Sequence, residues 1–281
     1  MKSSRIIIVG MGQIGTSIAL GLRRLKKIPI VGVDIKPQNL KIAFRRKAIS
    51  KSFCLKRDQD LLHLSLTSQD LIVLATPVKS VENYLRLLPQ GPLIIDVGST
   101  KGAIVKVARR RHLRFIGTHP IAGREKEGAI AGDPQLFKNR LCLLTPLPET
   151  RPEDRKTVRQ LWRSLGAEVE LMESGKHDRW LAYLSHLPHV AAYALVMAIG
   201  RLCGTHDAVR FAFGGLRDTT RIAASSPVMW ADIFLSNRGS IRQAMVKFKK
   251  ELDQLAGMIE RGERSRLLHW LSLGQAMRKK Y

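Results

Sequence analysis

One hexapeptide constrains this chain more than any other stretch: Gly10-Met11-Gly12-Gln13-Ile14-Gly15. The G-x-G-x-x-G spacing alone is weak. Here it follows the first strand-like run, Arg5–Val9, and opens a helical pattern, the context a dinucleotide-binding turn requires. Gly10 permits the tight turn, Gly12 lets a pyrophosphate approach the backbone, and Gly15 lets the helix pack closely on the strand. Gln13 and Ile14 then start a helix whose free N–H groups and dipole favour the phosphates. Asp34 closes a second β-branched run, Ile30–Asp34, 19 residues after Gly15. A carboxylate there accepts hydrogen bonds from a ribose 2′-hydroxyl and repels a 2′-phosphate, so the expected cofactor is NAD rather than NADP.

The alternation continues. Further strand candidates are Leu71–Ala75, Leu93–Val97, Arg114–Gly117, Leu141–Leu144 and the less regular Glu168–Met172. Several are apolar almost throughout, as strands covered on both faces are. Helical patterns fall between them at Gly12–Lys26, Ser80–Leu88, Lys101–Arg111 and Pro152–Leu165. An α/β fold follows, with an N-terminal Rossmann-type, doubly wound parallel sheet over residues 1–172. Strand signals then stop. Residues 173–281 read as an all-helical domain, with Glu173-Ser174-Gly175 as the hinge. Its first helix runs from Lys176 to Leu202 and is kinked, or loses a carbonyl's partner, at Pro188. Ser226-Pro227 reads as an N-cap followed by proline at the first helical position. Ile241, Met245, Phe248, Leu252, Leu255 and Ile259 form one apolar stripe, and Leu267–Met277 forms another. These stripes exceed what so small a domain buries alone, so a homodimer joined through this half is expected.

The formal charge is +25 and the pI near 10.7. Basic clusters such as Arg109-Arg110-Arg111 fall on the polar faces or ends of helical segments and carry no interleaved aromatics. Nucleic acid is therefore not the expected partner; a small anionic substrate is. No uninterrupted apolar run reaches the roughly 18–20 residues of a membrane span. Met1-Lys2-Ser3-Ser4 runs straight into the first strand, which leaves no room for a leader. Cys54, Cys142 and Cys203, odd in number and widely spaced, fit neither a disulfide framework nor a metal cluster. A cytoplasmic, metal-free protein is expected.

Candidates for chemistry lie where strands end, because open α/β sheets bind ligands at their carboxyl edge. Thr76-Pro77 lines the adenosine side or the nicotinamide side of the cofactor, or simply ends its strand. In Asp96-Val97-Gly98-Ser99-Thr100-Lys101-Gly102, Ser99 offers a hydroxyl near the nicotinamide and the reacting carbon; otherwise Ser99 or Thr100 caps the next helix. Lys101 reads as a surface helix residue. Gly117-Thr118-His119-Pro120-Ile121-Ala122-Gly123 places His119 at the next strand end. Imidazole suits acid–base work near neutrality, and a dehydrogenase must remove an O–H proton as hydride departs, so His119 is the candidate base. Ser185-His186-Leu187-Pro188-His189 sets two histidines on one helix face. No Asp, Glu or Cys stands at ligand spacing, so His189 is read as meeting a polar ligand, with His186 behind it, rather than as half a metal site. His177-Asp178 reads as a local cap. Arg221 is either a bidentate clamp for a substrate carboxylate or the ion-pair partner of Asp218.

With these residues in place, the chain resembles the prephenate/arogenate dehydrogenases of tyrosine biosynthesis. The resemblance spans nearly the whole length. It rests on Gly10–Gly15, DVGSTKG at Asp96–Gly102, HPIAGREKEG at His119–Gly128, Leu136-Phe137, Leu144-Thr145-Pro146, His177-Asp178, SHLPH at Ser185–His189, RDTTRIA at Arg217–Ala223 and Met229-Trp230. It implies an NAD-binding domain followed by a helical dimerisation domain, with catalysis in the cleft between them. It also implies that His119 takes the ring 4-hydroxyl proton, that Ser99 assists near the nicotinamide and that hydroxyl, that His189 contacts substrate, and that Arg221 binds a carboxylate. The implied reaction is oxidative decarboxylation of prephenate to 4-hydroxyphenylpyruvate, or of arogenate to tyrosine. An arogenate enzyme should face the substrate ammonium with a carboxylate, for which Asp218 and Glu125 are candidates. Arg124 departs from the small polar residue usual after HPxAG. No mutase or regulatory domain is expected around these motifs. Two alternatives remain. Hydroxyacid and imine reductases share the N-terminal half, but the hydroxyacid enzymes use a lysine and an asparagine on the long helix, where this chain has Ser185–His189. The other alternative is a basic Rossmann protein that contacts nucleic acid.

Overall fold

The computed structural model describes residues 5–25, 28–123, 126–210 and 213–280. The first strand, β1 (Arg5–Val9), sends alternate side chains to opposite faces: Ile6 and Ile8 enter one apolar layer, Ile7 and Val9 the other. The first layer holds α1 (Gln13–Leu25), α2 (Pro37–Arg45) and α5 (Pro152–Ser164) through Ile18, Leu22, Leu40 and Trp162. The second holds α3 (Val78–Leu87) and α4 (Gly102–Arg110) through Val81, Leu85 and Ile104. Between the layers the sheet adds β2 (Ile30–Asp34), β3 (Lys51–Cys54), β4 (Asp70–Leu74), β5 (Leu93–Asp96), β6 (Phe115–Pro120), β7 (Leu141–Pro146) and β8 (Glu168–Leu171). The strand order is β3-β2-β1-β4-β5-β6-β7-β8. Winding reverses between β1 and β4, so their carboxyl ends open the crevice in which such sheets bind ligands.

The expected all-parallel sheet has one exception: β6 and β7 pair antiparallel, with His119 opposite Leu143. Among the described residues, the chain between them carries no crossover helix, only loop and a 3-10 turn at Ala129–Ala131, and β7 runs in the opposite direction. The helix α2 and the strand β3 were among the elements unread in the sequence. The helix α2 has a signal, Pro37 in its first turn with Leu40 and Ala43 buried. The strand β3 has none, being a four-residue edge strand with mostly exposed residues. Lys26, expected to end the first helix, lies outside the described residues.

The helical half comprises α6 (Ser174–Leu181), a π-helical turn (Ala182–His186), α7 (Leu187–Arg210), α8 (Gly214–Thr220), α9 (Pro227–Ser236), α10 (Arg238–Glu260) and α11 (Arg264–Arg278). The π turn is where Pro188 acts. Proline has no N–H to close the ordinary helical bond, and the Leu187 N–H reaches one residue further back, to the Ala182 carbonyl. Glu173, in the expected hinge, caps α6: its carboxylate accepts the Gly175 and Lys176 N–H groups, each at 2.7 Å. Ser226 occupies the N-cap position ahead of Pro227, but its side chain makes no capping bond. Buried apolar packing in this half centres on Ala182, Ile241 and Ala244, while Leu184, Met197, Leu202, Val246 and Leu252 are exposed. The run Ser174–Cys203 is long and apolar enough to cross a bilayer. That corrects the expectation drawn from uninterrupted apolar residues, because the polar residues breaking this run are too few to offset the rest.

Candidate active site

The crevice between β1 and β4 is shaped by glycine. Gly10 has φ +96°, and a Cβ there would stand 2.3 Å from the Ala75 carbonyl oxygen. A Cβ on Gly15 would stand 2.0 Å from the Gly10 carbonyl oxygen. A Cβ on Gly12 would meet nothing within 4 Å, which leaves space for a diphosphate over the start of α1 at Gln13 and Ile14. The Thr76 hydroxyl, beside Gly10, is buried with no partner, and Pro77 precedes α3. Asp34 accepts the Met11 N–H (2.7 Å) and the Asn39 amide (3.1 Å) on Oδ2, and the Lys36 N–H (2.7 Å) on Oδ1. A carboxylate has about four acceptor positions, so one remains for a ribose hydroxyl. Open glycine space, a helix start, an orphaned hydroxyl and an acceptor carboxylate together fit NAD.

The loop after His119 is drawn over this cradle: the Gln13 amide donates to the Lys126 carbonyl at 3.0 Å. His119 lies at the carboxyl end of β6, partly open to the surface. Its Nδ1 is 2.9 Å from Nε2 of His177 on α6. Nδ1 of His177 is 2.9 Å from Asp178 Oδ1. Asp178 also accepts the backbone N–H groups of Lys101 and Gly102, both at 2.8 Å. His177-Asp178 is therefore not a local cap. The carboxylate caps α4, across the seam between the two halves. Neither Ser99 nor Thr100 does so, since the α4 start has no cap bond from its own N-cap side chain and the Thr100 hydroxyl bonds to Ser236 at 2.9 Å. Ser99 is partly exposed, just ahead of this anchored turn.

Lys101 requires the largest correction. It is fully buried and paired with Asp96, which also accepts the Gly98 N–H at 2.8 Å and the Thr118 N–H at 3.2 Å. A buried strand-ending carboxylate needs a counter-charge, and the first cation downstream supplies it. Burial pushes the Asp96 carboxyl up, and Lys101 pulls it back toward ionisation. Burial sets the His119 pKa well below its ordinary value, with the charges of His177, Lys101 and His186 adding to the shift, so the ring is neutral at pH 7. Burial also pushes the Asp178 carboxyl up, but the His177 ring and the Lys101 and Gly102 amides outweigh it and hold the group below its ordinary value.

In the first turn of α7, His189 donates its Nδ1–H to the Ser185 carbonyl at 3.0 Å and stacks on Trp230 with ring centroids 3.5 Å apart. Its Nε2 is thereby left as an acceptor. Burial lowers the His189 pKa and nearby Arg221 lowers it further, against the opposing Ser185 bond. Arg221 is exposed where α8 passes into a 3-10 turn, Arg221–Ala224, with Asp218 exposed one turn earlier. His186 is buried, and burial brings its pKa to about 4. Its Nδ1 lies 3.3 Å from the Asn237 amide, which donates to the Asp178 carbonyl at 2.7 Å. His186 Nε2 and Trp230 Nε1 are buried without a partner among the described residues. The structure thus links His119, His177, Asp178, His186 and His189 through Asn237 and Trp230. Sequence spacing marked neither of the last two. Glu125 and Arg124 lie outside the described residues.

Two family models match this chain: prephenate dehydrogenase, nucleotide-binding domain, over residues 18–171, and prephenate dehydrogenase, dimerization domain, over residues 173–273. A prephenate dehydrogenase of Lactococcus lactis subsp. cremoris is 33% identical over 98% of this chain and 77% of its own length. A cyclohexadienyl dehydrogenase of Zymomonas mobilis is 30% identical over 97% of this chain and 94% of its own. Among solved structures, the Aquifex aeolicus prephenate dehydrogenase in complex with hydroxyphenyl propionate and NAD+ has a TM-score of 0.89 at 31% identity, covering 100% of this chain and 99% of that one.

Proposed function

Because this chain belongs to the prephenate dehydrogenase family, we propose that it catalyses the NAD-dependent oxidative decarboxylation of prephenate to 4-hydroxyphenylpyruvate. The observation that carries this reading is the neutral His119 at the carboxyl edge of the sheet, with its following loop tied by Gln13 to the glycine cradle for NAD. Bound nicotinamide supplies the hydride acceptor. His119 takes the proton of the ring 4-hydroxyl as the C4–H bond breaks, and its lowered pKa keeps the lone pair available at neutral pH. Ser99 holds the same hydroxyl. Arg221 grips one substrate carboxylate through its planar fork. His189, its ring held flat on Trp230, turns Nε2 to the substrate, and His186 backs it from the buried side. Asp34 takes a ribose hydroxyl and turns away a 2′-phosphate, while Thr76 and Pro77 line the cofactor crevice. Loss of CO2 from C1 aromatises the ring and makes the step irreversible.

His119→Asn should keep NAD binding and lose about 10²–10⁴ in kcat, the usual worth of a positioned base. Wild-type kcat/KM should hold level as pH falls to about 6.5, the ordinary histidine value, and decline only below it. Near-wild-type turnover by the variant would make His119 structural. The relationship to the cyclohexadienyl enzyme favours a second reading, that arogenate is also accepted. Steady-state assays with both substrates test it. The exposed apolar side chains of residues 173–281 support assembly as a homodimer, and the unpaired Cys54, Cys142 and Cys203 suit the cytoplasm.

A further inference from the structure

We propose that His177 and Asp178 are the positioning pair for His119, fixing the tautomer in which Nδ1 carries the hydrogen and Nε2 offers its lone pair to the substrate hydroxyl. This rests on His119 being the base. The argument starts at the carboxylate, because an ionised carboxylate can only accept. Two of the three hydrogen bonds to Asp178 come from backbone amides, which can only donate. The third, at 2.9 Å, must likewise be an N–H, so the hydrogen sits on Nδ1 of His177. With that hydrogen on Nδ1, the other ring nitrogen, Nε2, is the one that offers a lone pair. That atom faces Nδ1 of His119 at 2.9 Å, and His119 must donate there. The remaining nitrogen of His119 is left bare of hydrogen, as a general base requires.

Burial makes the chain of bonds obligatory. His177 is fully buried, so no solvent replaces either partner. Asp178 is held from both sides: its carboxylate by the α4 amides, and its carbonyl by Asn237 at 2.7 Å. Oδ1 accepts from both His177 and the Lys101 amide, two residues after Ser99. One carboxylate from the helical half therefore aligns the base and the hydroxyl-bearing turn of the nucleotide half together.

The test combines ring ¹⁵N spectroscopy with kinetics on the full-length, NAD-bound enzyme. In histidine-labelled protein, the resonances lost in His119→Asn identify that ring. A protonated Nδ1 with a bare Nε2 is expected; the reverse pattern, which a doubly protonated His177 would impose, overturns the proposal. His177→Leu should lower kcat by about 10²-fold, as a wrong tautomer does in other histidine bases, with prephenate KM and NAD affinity within about threefold. His177→Gln, whose Oε1 can replace Nε2 as acceptor, should recover at least about tenfold of that loss. Leu and Gln variants equally impaired, with lowered melting temperatures, would assign His177 to folding alone and refute the pair; so would a Leu variant within about threefold of wild type. In a His119→Asn background, adding His177→Leu should cost no more than about threefold, because residues acting as one unit are not additive. If His119→Asn itself stays active, the assignment of the base fails. If it is inactive while His177→Leu is not, only the positioning pair fails.

Discussion

Two cations in this chain look alike in sequence and serve opposite ends. Lys101 is sealed beneath the start of α4, where Asp96 offsets the cost of its burial. Arg221 stands exposed near His189, where burial does not set its surroundings. Arg221→Ala should raise the substrate KM by about 10–10²-fold, since a charged hydrogen bond is worth roughly 1.5–3 kcal/mol. NAD affinity should hold within about twofold, and Arg221→Lys should restore only part of the loss because an ammonium cannot copy the fork. If the guanidinium instead steadies the α8 turn through Asp218, the alanine variant will melt earlier and its KM will hardly change. The positions of His119, Ser99 and His189 were legible because strand ends and one helix face mark them. The site of Lys101 was not, because a helix-start lysine is a surface residue until the fold puts a carboxylate under it. Asn237 and Trp230 enter through tertiary contact, which no local period encodes.

At the scale of elements, β1 and β2 match their sequence runs because Gly10 and Asp34 mark their ends, whereas β3 is too short and exposed to show a period. His177-Asp178 was misread for a physical reason: α6 already has its cap in Glu173, and the pair lies within the first turns, turned toward another helix. The α4 N-terminus, with its unpaired amides, thus depends on a carboxylate about 77 residues away in sequence. Asp178→Ala should cost about 3–6 kcal/mol through the two charged hydrogen bonds lost from the α4 amides alone, or on the order of 10 °C in Tm. The pKa of Asp178 is depressed in the fold, so its contribution is complete above the unfolded value of about 3.9 and fades as pH falls through the folded one. The Tm gap between wild type and variant should therefore stay flat from about pH 5 to 8 and shrink in stronger acid. A gap that widens toward acid would show that the carboxyl folds protonated.

The whole molecule is lopsided. The sheet is walled by two extensive apolar layers, while the helical half gathers only Ala182, Ile241 and Ala244 into one buried apolar cluster, buries Leu181, Ala192, Trp230, Ile233 and Met258 besides, and leaves large apolar side chains outside. A homodimer joined through this half, with an interface above about 2,000 Å², would cover them. Light scattering at micromolar concentration should return twice the 31.5 kDa chain mass; a monomer would rule the assembly out. The seam at Asp178 also governs traffic. A swing parting the two halves would strip a buried anion of its donors at every turnover, so gaping is a poor route for substrate or product. Passage falls instead to side chains and loops at the rim. The spacing between His119 on the nucleotide half and His189 on the helical half then stays constant, and the protein works as an anvil, not a jaw.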